Sequence, residues 1–178
     1  RCSICKGPLK KYINVKNLEN FKKFLILKCN TCDHKQTLIS KKMKFEKYYN
    51  PNYYGRDREK FSYFFEKLSI ATRIFRIKNL LFEKNKRILD IGFGRGIEIS
   101  ILKKKNKTFG VEINDSNFKR LKKLGIETFL FKKLIKKKFN FKFDYIMLWH
   151  NLEHQKNINV ILNKCSEIMK KNVSLIIE

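Results

Sequence analysis

Two groups of residues have the types and spacing that can do chemistry. Four of the five cysteines form two Cys-x-x-Cys pairs, Cys2 with Cys5 and Cys29 with Cys32, with 23 residues between the pairs. Each pair presents two thiolates on one tight turn, and two such turns suit a tetrahedral zinc site. The second group is a loop that holds three of the chain's seven glycines within five residues, at Gly92–Gly96. A chain this poor in glycine concentrates it where the backbone geometry demands it.

The cysteine pairs predict a structural zinc site with Cys2, Cys5, Cys29 and Cys32 as ligands. Apolar runs at 12–15 and 24–27 are typical of short strands, so residues 1–42 are interpreted as a zinc ribbon. The alternatives are two disulfides or a redox pair. The start of the chain shows no secretory signal, so we expect a cytoplasmic protein with reduced thiols. His34 is interpreted as a surface residue and Cys165 as a core residue.

Residues 43–85 are predicted to link this module to a second domain. Tyrosines and basic residues crowd the first part, whose role we interpret as packing of the linker onto the domain. From about residue 59 to 83, apolar residues recur at steps of three and four, which predicts an amphipathic helix with a possible break.

Alternating strands and helices are predicted from residue 86 to residue 178. This alternation indicates an α/β fold with a doubly wound, mostly parallel sheet. The predicted strands are 87–91, 108–112, 126–131, 143–148 and 173–177, and the predicted helices are 97–105, 116–124 and 157–171.

The glycine loop sits at a strand-to-helix junction, where nucleotides and anions bind in such folds. The nicotinamide-cofactor fingerprint requires a glycine where Ile97 stands, and the Gly-Lys-Ser/Thr of a P-loop is absent. Asp90, two residues before the first glycine, would repel a pyrophosphate and attract an ammonium group. Glu112 ends the next predicted strand, 20 residues after Gly92, where a carboxylate can accept hydrogen bonds from ribose hydroxyls.

These motifs resemble class I S-adenosylmethionine-dependent methyltransferases of the type 11/12-like group. The resemblance rests on three segments in family order and spacing: Leu89 to Gly96, Gly110 to Asn114, and Phe143 to His154. Many relatives carry a four-cysteine zinc module and a tyrosine-rich linker before this domain, as here. The resemblance implies a Rossmann-like sheet and S-adenosylmethionine as the cofactor.

The resemblance also implies roles for individual residues. The loop would admit the methionine part of the cofactor, with Asp90 near its amino group. Glu112 would hold the ribose, Ile113 would lie against the adenine, and Leu148, Trp149 and His150 would border cofactor and acceptor. His150 and His154 are the candidate general bases. The cofactor-binding residues expected are Asp90, Gly92, Phe93, Gly94, Gly96, Glu112, Ile113, Leu148 and Trp149.

The sequence departs from the family pattern in two places. The segment 131–134 offers no acidic residue for the adenine amino group. The family sheet has seven strands, and this sequence ends in or just after the fifth, so we expect a chain truncated at its carboxyl end. Three acidic residues outside the motifs, Glu98, Asp115 and Glu127, are interpreted as solvated or capping, with Asp115 as an N-cap.

The 178 residues include 42 basic and 16 acidic side chains, a net charge of +26. Thirty-four lysines, eight arginines and a single alanine indicate biased codon usage more than a dedicated polyanion site. The lysine runs 103–105, 122–123 and 136–138 fall in different units, so they need not converge on one face.

The resemblance implies methyl transfer to a small molecule, a sugar or surface-glycan precursor, and we expect no specific nucleic acid binding. No apolar run is long enough for a transmembrane helix. The alternatives are an rRNA methyltransferase and a non-enzymatic zinc-ribbon binding module. No Asn-Pro-Pro-Tyr-type tetrad follows the fourth strand, which disfavours the first alternative, and the intact glycine loop disfavours the second. The sequence does not indicate an oligomeric state.

Overall fold

A computed structural model describes residues 1–16, 22–38, 60–155 and 157–178, with only the backbone of residues 60–67. The tyrosine cluster of the predicted linker lies outside these residues. Among the described helices, none combines the length and the apolar character that crossing a bilayer requires.

The N-terminal residues form a small antiparallel sheet. Its strands β1 (Leu9–Lys16), β2 (Lys23–Cys29) and β3 (Lys35–Thr37) lie in the order β1-β2-β3. Most side chains of β1 are exposed, and the buried residues of this module are Cys2 and Cys29. The described part of the module therefore has few buried side chains, and its strands are joined by the antiparallel pairing of β1 with β2 and of β2 with β3.

Two helices precede the larger sheet. Helix α1 (Lys60–Arg76) and helix α2 (Lys78–Phe82) are separated at Ile77, which confirms the predicted amphipathic helix and its break. Ile77 and Leu80 are buried and join the core on one face of the sheet.

The larger sheet is parallel and has five strands in the order β6-β5-β4-β7-β8. Its flanking helices follow each strand in turn, which confirms the Rossmann-like doubly wound fold. The strands are β4 (Arg87–Ile91), β5 (Lys107–Glu112), β6 (Glu127–Leu130), β7 (Tyr145–Leu148) and β8 (Leu175–Ile177). The helices are α3 (Ile97–Leu102), α4 (Phe118–Lys123), α5 (Phe131–Lys136) and α6 (Ile158–Ile168), with a short 3-10 helix at Leu152–His154.

The strand order reverses between β4 and β7, and this reversal determines where a ligand-binding cleft opens in the sheet. The chain adds β5 and β6 on one side of β4, then returns to add β7 and β8 on the other side. At such a switch point the connections leave in opposite directions, so a cleft opens at the carboxyl ends of the two central strands. The glycine loop follows β4 directly, and residues 149–151 follow β7.

Alternation along the strands builds a core on each face of the sheet. Leu89 and Ile91 of β4 contribute to one core, and Ile88, which precedes Leu89 and points to the opposite face, contributes to the other. Asn159 of α6 donates a hydrogen bond of 3.1 Å to the carbonyl of Ser3, which joins the N-terminal module to the larger domain.

Two local predictions are wrong. Residues 131–136 form helix α5 directly after β6, where we expected the strand to continue to Phe131. Leu134 is fully buried, so one apolar anchor on a lysine-rich segment outweighs the strand pattern. Asp115 is not the N-cap of α4: its backbone carbonyl accepts from Phe118, and the N-cap is Asn117, without a side-chain cap.

Candidate cofactor site and four-cysteine centre

The three loop glycines all adopt left-handed backbone angles. The φ values of Gly92, Gly94 and Gly96 are 81°, 53° and 64°. A Cβ built on Gly92 would lie 2.1 Å from Nδ2 of Asn151, which follows β7. Residues that carry a side chain rarely adopt this φ, and Asn151 already fills the space that a Cβ would occupy. The tight turn therefore depends on glycine at position 92. Asn151 was not singled out from the sequence.

Glu112 ties the end of β5 to this loop. Its Oε1 accepts a hydrogen bond of 2.9 Å from the amide of Gly94, and its Oε2 accepts one of 2.6 Å from the amide of Ile113. Asn117 fastens the loop from the other direction by donating to the Gly94 carbonyl at 3.0 Å. The structure therefore brings together the loop and the acidic strand end that the sequence paired.

Asp90 is fully buried beside the loop, and neither of its carboxyl oxygens has a hydrogen-bond partner among the described residues. Burial raises the pKa of Asp90 well above its usual range, and the charges of Glu98 and Glu112 raise it further, against the opposing charge of Arg73. The buried carboxyl group consequently resists ionisation unless a cation comes to it. An uncompensated carboxyl group of this kind is suited to receive an ammonium group.

Glu98 is buried, so its interpretation as a solvated or capping residue is wrong. It is 5% exposed, and its Oε1 accepts a hydrogen bond of 2.8 Å from Nη1 of Arg73 in α1. Nη2 of Arg73 also donates to the hydroxyl of Ser69, one helical turn earlier, at 3.1 Å. Nothing in the sequence distinguishes Arg73 from the other basic residues of α1, so its pairing with Glu98 was not predicted.

The residues after β7 complete the same end of the sheet. Leu148 is fully buried, and Trp149 is 6% exposed, with no partner for its Nε1 among the described residues. His150 is exposed and has a φ of 44°, and its amide donates to the carbonyl of Glu178 at 3.0 Å. A non-glycine residue with this φ is uncommon and concentrates at functional sites. His154 is exposed and lies 3.7 Å from the carboxylate of Glu153.

Phe93 and Ile113, both predicted to bind the cofactor, differ in the exposure of their side chains. The ring of Phe93 is buried in the core, where it packs beside Phe118 and fills the space next to Gly110. Only its backbone is therefore available to a ligand. Ile113 is 42% exposed, which leaves its side chain free to cover a flat ring.

The four paired cysteines come together at the other end of the chain. Their Sγ atoms all lie within 4.8 Å of one another, with 3.7 Å between Cys2 and Cys32 and 3.5 Å between Cys5 and Cys29. Sulfurs placed at about 2.3 Å from a tetrahedral zinc ion are separated by about 3.8 Å. The spacing therefore fits zinc. His34 is not in the cluster, because its Nε2 pairs with the hydroxyl of Ser3 at 3.1 Å.

Backbone amides support the sulfurs in the same way in both turns. The amide of Ile4 donates to Sγ of Cys2 at 3.4 Å, and the amide of Thr31 donates to Sγ of Cys29 at 3.3 Å. Burial opposes ionisation of Cys29, but the amides of Cys32 and Thr31 outweigh it, and the pKa of this thiol falls to about 6. Amide donors that favour the thiolate are the usual surroundings of a metal-ligating cysteine.

Comparison with known protein families identifies the domain. Residues 64–178 match the family model described as "Methyltransferase domain" (Methyltransf_23). The chain belongs to this family, and its sheet is that of the class I methyltransferases. Comparison with curated protein sequences gives no significant match.

Solved structures share the fold at low sequence identity. Coclaurine N-methyltransferase, bound to N-methylheliamine and S-adenosylhomocysteine, is 21% identical over 61% of this chain and 34% of its own, with a TM-score of 0.51. The N-methyltransferase NodS from Bradyrhizobium japonicum, bound to S-adenosylhomocysteine, is 11% identical over 60% of each chain, with a TM-score of 0.50. YcgJ from Bacillus subtilis is 16% identical over 58% of this chain and 47% of its own, also with a TM-score of 0.50. The matched region thus spans about a third to three fifths of these proteins.

Proposed function

We propose that the protein is an S-adenosylmethionine-dependent methyltransferase. The observation that carries the proposal is the hydrogen bond from Gly94 to Glu112, which joins the left-handed glycine loop to an acidic strand end beside the buried carboxyl of Asp90. This combination offers a ribose acceptor and an ammonium acceptor on either side of a backbone that a ligand can approach. Two of the structural neighbours have S-adenosylhomocysteine bound, which agrees with the proposed cofactor.

Different residues bind different parts of the cofactor. Gly92, Gly94 and Gly96 leave room for the methionine portion, and Asp90 accepts its ammonium group. Glu112 keeps its hydrogen bond to Gly94, and its carboxylate accepts hydrogen bonds from the ribose hydroxyls. The exposed face of Ile113 covers the adenine.

The cofactor supplies a methyl group on a sulfonium that is already electrophilic. The protein's part is to align an acceptor atom with that methyl group and to take up the proton that the acceptor loses. The turn after β7 is suited to this task, because Trp149 is nearly buried while His150 faces solvent. We assign the role of proton acceptor to His150, and His154 is the second candidate for this role.

For the acceptor we propose a small molecule, a sugar or surface-glycan precursor. Support comes from the structural neighbours, since coclaurine N-methyltransferase is bound to the small molecule N-methylheliamine. The described ends of the strands also present no tetrad of the kind that holds a flipped base.

For the N-terminal module we propose a structural zinc ribbon over residues 1–42, followed by a linker and helix over residues 43–85 and the methyltransferase domain over residues 86–178. Zinc held by Cys2, Cys5, Cys29 and Cys32 would stabilise a sheet that has few buried side chains. The ion would have no part in methyl transfer.

Calorimetric titration of the protein with S-adenosylmethionine tests the proposed cofactor. We expect one site, with S-adenosylhomocysteine as a competitor and no heat from NAD. Binding of NAD in place of S-adenosylmethionine would overturn the proposal, and so would the absence of binding in a folded protein.

A further inference from the structure

A basic groove lies at the end of the sheet opposite to the glycine loop. It has a volume of about 1000 Å³, and it is formed where the strands begin. Seven basic side chains line it, against two acidic ones. They are Lys84, Arg87, Lys103, Lys104, Lys105, Lys107 and Lys170, with Glu127 and Asp144.

The groove gathers cations from separate parts of the sequence. The run 103–105 follows α3, Lys84 and Arg87 lie at the start of β4, and Lys170 follows α6. The three lysine runs need not converge, and in the lining of the groove the run 103–105 is joined by single basic residues and not by the runs 122–123 and 136–138. In a parallel sheet, the turns that enter successive strands meet at one end, so these cations face a common space.

Hydrogen bonds hold the walls of the groove together. Asn106, 6% exposed, accepts from the amide of Lys86 at 3.0 Å and donates to the carbonyls of Glu83 and Leu102, each at 3.2 Å. The amide of Asn85 donates to the carbonyl of Lys105 at 2.9 Å. The loop before β4 and the loop before β5 are therefore joined, and their cations are preorganised rather than spread on independent loops.

One of the two acidic residues of the groove is already paired, whereas part of its basic charge is not. Asp144 is bound by Nζ of Lys170 at 2.6 Å and by the amide of Arg87 at 2.8 Å. Within the described part of the chain, the ammonium groups of Lys84, Lys103 and Lys104 make no hydrogen bond or ion pair.

We propose that this groove binds the phosphate backbone of a nucleic acid without reading its sequence. The cations are lysines with one arginine, which bind phosphates as point charges. The lining includes no aromatic ring on which a base can stack, so base recognition has no platform. The concave shape concentrates the positive potential over an extended chain, whereas a flat bilayer reaches only protruding groups.

The groove and the proposed cofactor site are independent. The groove lies where the strands begin, and the glycine loop and Glu112 lie where β4 and β5 end. The nucleic acid is accordingly a docking partner and not the methyl acceptor, and the small-molecule acceptor is unaffected by this proposal.

A charge-matched pair of variants tests the groove. In the groove variant Lys84, Lys103 and Lys104 are each changed to Gln. In the control variant three exposed lysines of the N-terminal sheet, Lys10, Lys11 and Lys23, are changed to Gln, so the net charge falls equally. Both are titrated with unstructured RNA and with duplex RNA over a range of salt concentrations. Circular dichroism and S-adenosylmethionine binding verify the fold.

We expect the groove variant to bind both RNAs at least tenfold more weakly than the control variant. The slope of log affinity against log salt should fall by about 2–3, since each lost phosphate contact accounts for about 0.7–0.9. Equal effects of the two triple substitutions would show that the groove contributes only its share of the net charge, and would overturn the proposal. A preference of about a thousandfold for one RNA sequence would overturn the sequence-independent mode.

Two further measurements use the wild-type protein. Bound RNA should protect Lys84, Lys103 and Lys104 from acetylation and leave Lys10, Lys11 and Lys23 reactive; uniform protection would contradict the proposal. Vesicles of phosphatidylcholine with phosphatidylserine provide the membrane alternative. If these vesicles protect the groove lysines and RNA does not, the partner is a membrane surface and the nucleic acid assignment is wrong.

Discussion

Nη1 of Arg73 lies 2.8 Å from Oε1 of Glu98, and this ion pair joins helix α1 to the first turn of the helix that follows the glycine loop. The pair is largely buried, with 23% of the arginine side chain and 7% of the glutamate side chain exposed. It also stands beside Asp90, whose carboxyl group has no other cation near it in the described structure.

Arg73→Leu should destabilise the protein by about 3–5 kcal/mol, because it leaves the carboxylate of Glu98 buried and unpaired. Arg73→Leu combined with Glu98→Leu should recover most of that loss. The measurement is urea unfolding of the single and double variants. Arg76→Leu is the control, since Arg76 is 60% exposed and its pairing with Glu178 should be worth no more than about 1 kcal/mol. Equal losses of stability in Arg73→Leu and Arg76→Leu would show that the buried ion pair contributes no more than the exposed one.

Gly92→Ala should destabilise the protein by about 1–3 kcal/mol more than Gly125→Ala. Both glycines have positive φ, 81° and 71°, so both variants suffer the backbone strain. Only at Gly92 does the new Cβ meet a neighbour, Nδ2 of Asn151 at 2.1 Å; at Gly125 the nearest atom is 3.5 Å away. The additional cost is the overpacking.

Thermal unfolding of these two glycine variants provides the comparison, and S-adenosylmethionine titration shows whether the loop is still competent. We expect binding to be lost in Gly92→Ala and kept in Gly125→Ala. A Gly92→Ala protein as stable as Gly125→Ala would mean that Asn151 moves aside freely.

Asp90→Asn should make the protein less sensitive to rising pH. The raised pKa of Asp90 means that the folded state holds a proton that the unfolded state releases above about pH 4. The wild-type contribution therefore favours folding below that pH and is lost as the pH rises toward the folded-state pKa, by up to about 1.4 kcal/mol per pH unit. The stability of Asp90→Asn relative to the wild type should increase over this range.

Asp144→Asn is the control with the opposite sign. Burial opposes ionisation of Asp144, but the Arg87 amide and Lys170 outweigh it, and its pKa is lowered. Its contribution is present above the unfolded-state pKa and is lost as the pH falls, so Asp144→Asn should be less stable than the wild type at neutral pH. Unfolding by urea between pH 4 and pH 8 measures the stability of both variants relative to the wild type. Parallel pH profiles for the wild type and Asp90→Asn would contradict the raised pKa of Asp90.

Glu112→Gln should weaken S-adenosylmethionine binding by at least about tenfold, because a charge-assisted hydrogen bond contributes about 1.5–3 kcal/mol. Glu127→Gln is the matched control: Glu127 begins the neighbouring strand, is exposed, and lies at the opposite end of the sheet. Glu98 is unsuitable as a control, because it is paired with Arg73 beside the site. Equal affinities of the Glu112 and Glu127 variants by calorimetry would remove Glu112 from the cofactor site.

Metal analysis should find one zinc ion per chain, and removing it with a chelator should unfold the N-terminal sheet. Four thiols should then become reactive, while Cys165 stays slow, because it is fully buried and burial raises its pKa to about 11. Cys165→Ser is the control and should retain the metal. Four reactive thiols in the protein as purified, without stoichiometric metal, would contradict the zinc assignment.

The sequence predicted those features that depend on local pattern. Alternating apolar segments located the described strands, and the glycine spacing located the loop that the structure joins to Glu112. The paired cysteines were expected to converge, and their sulfurs do.

What the sequence did not predict depends on distant packing. Glu98 resembles any solvated residue in the first turn of a helix, and only the placement of α1 shows that Arg73 covers it. Asn151 is 59 residues from Gly92, yet its side chain fills the space beside that glycine. The basic groove likewise depends on which loops meet at one end of the sheet, and charge counts along the chain do not report that.

The reversal of strand order between β4 and β7 has a consequence for how such a protein can diversify. Most residues assigned to the cofactor lie on or directly after β4 and β5, and the candidate bases follow β7, on the other side of the reversal. Substitutions at 150 and 152–154 can therefore accumulate with little effect on the glycine loop, whereas the side chain of Asn151 crosses the boundary and accepts a hydrogen bond of 2.7 Å from Gln155. In directed evolution toward a new acceptor, positions 150 and 152–154 are the ones to vary, and positions 151 and 155 are the ones to hold constant.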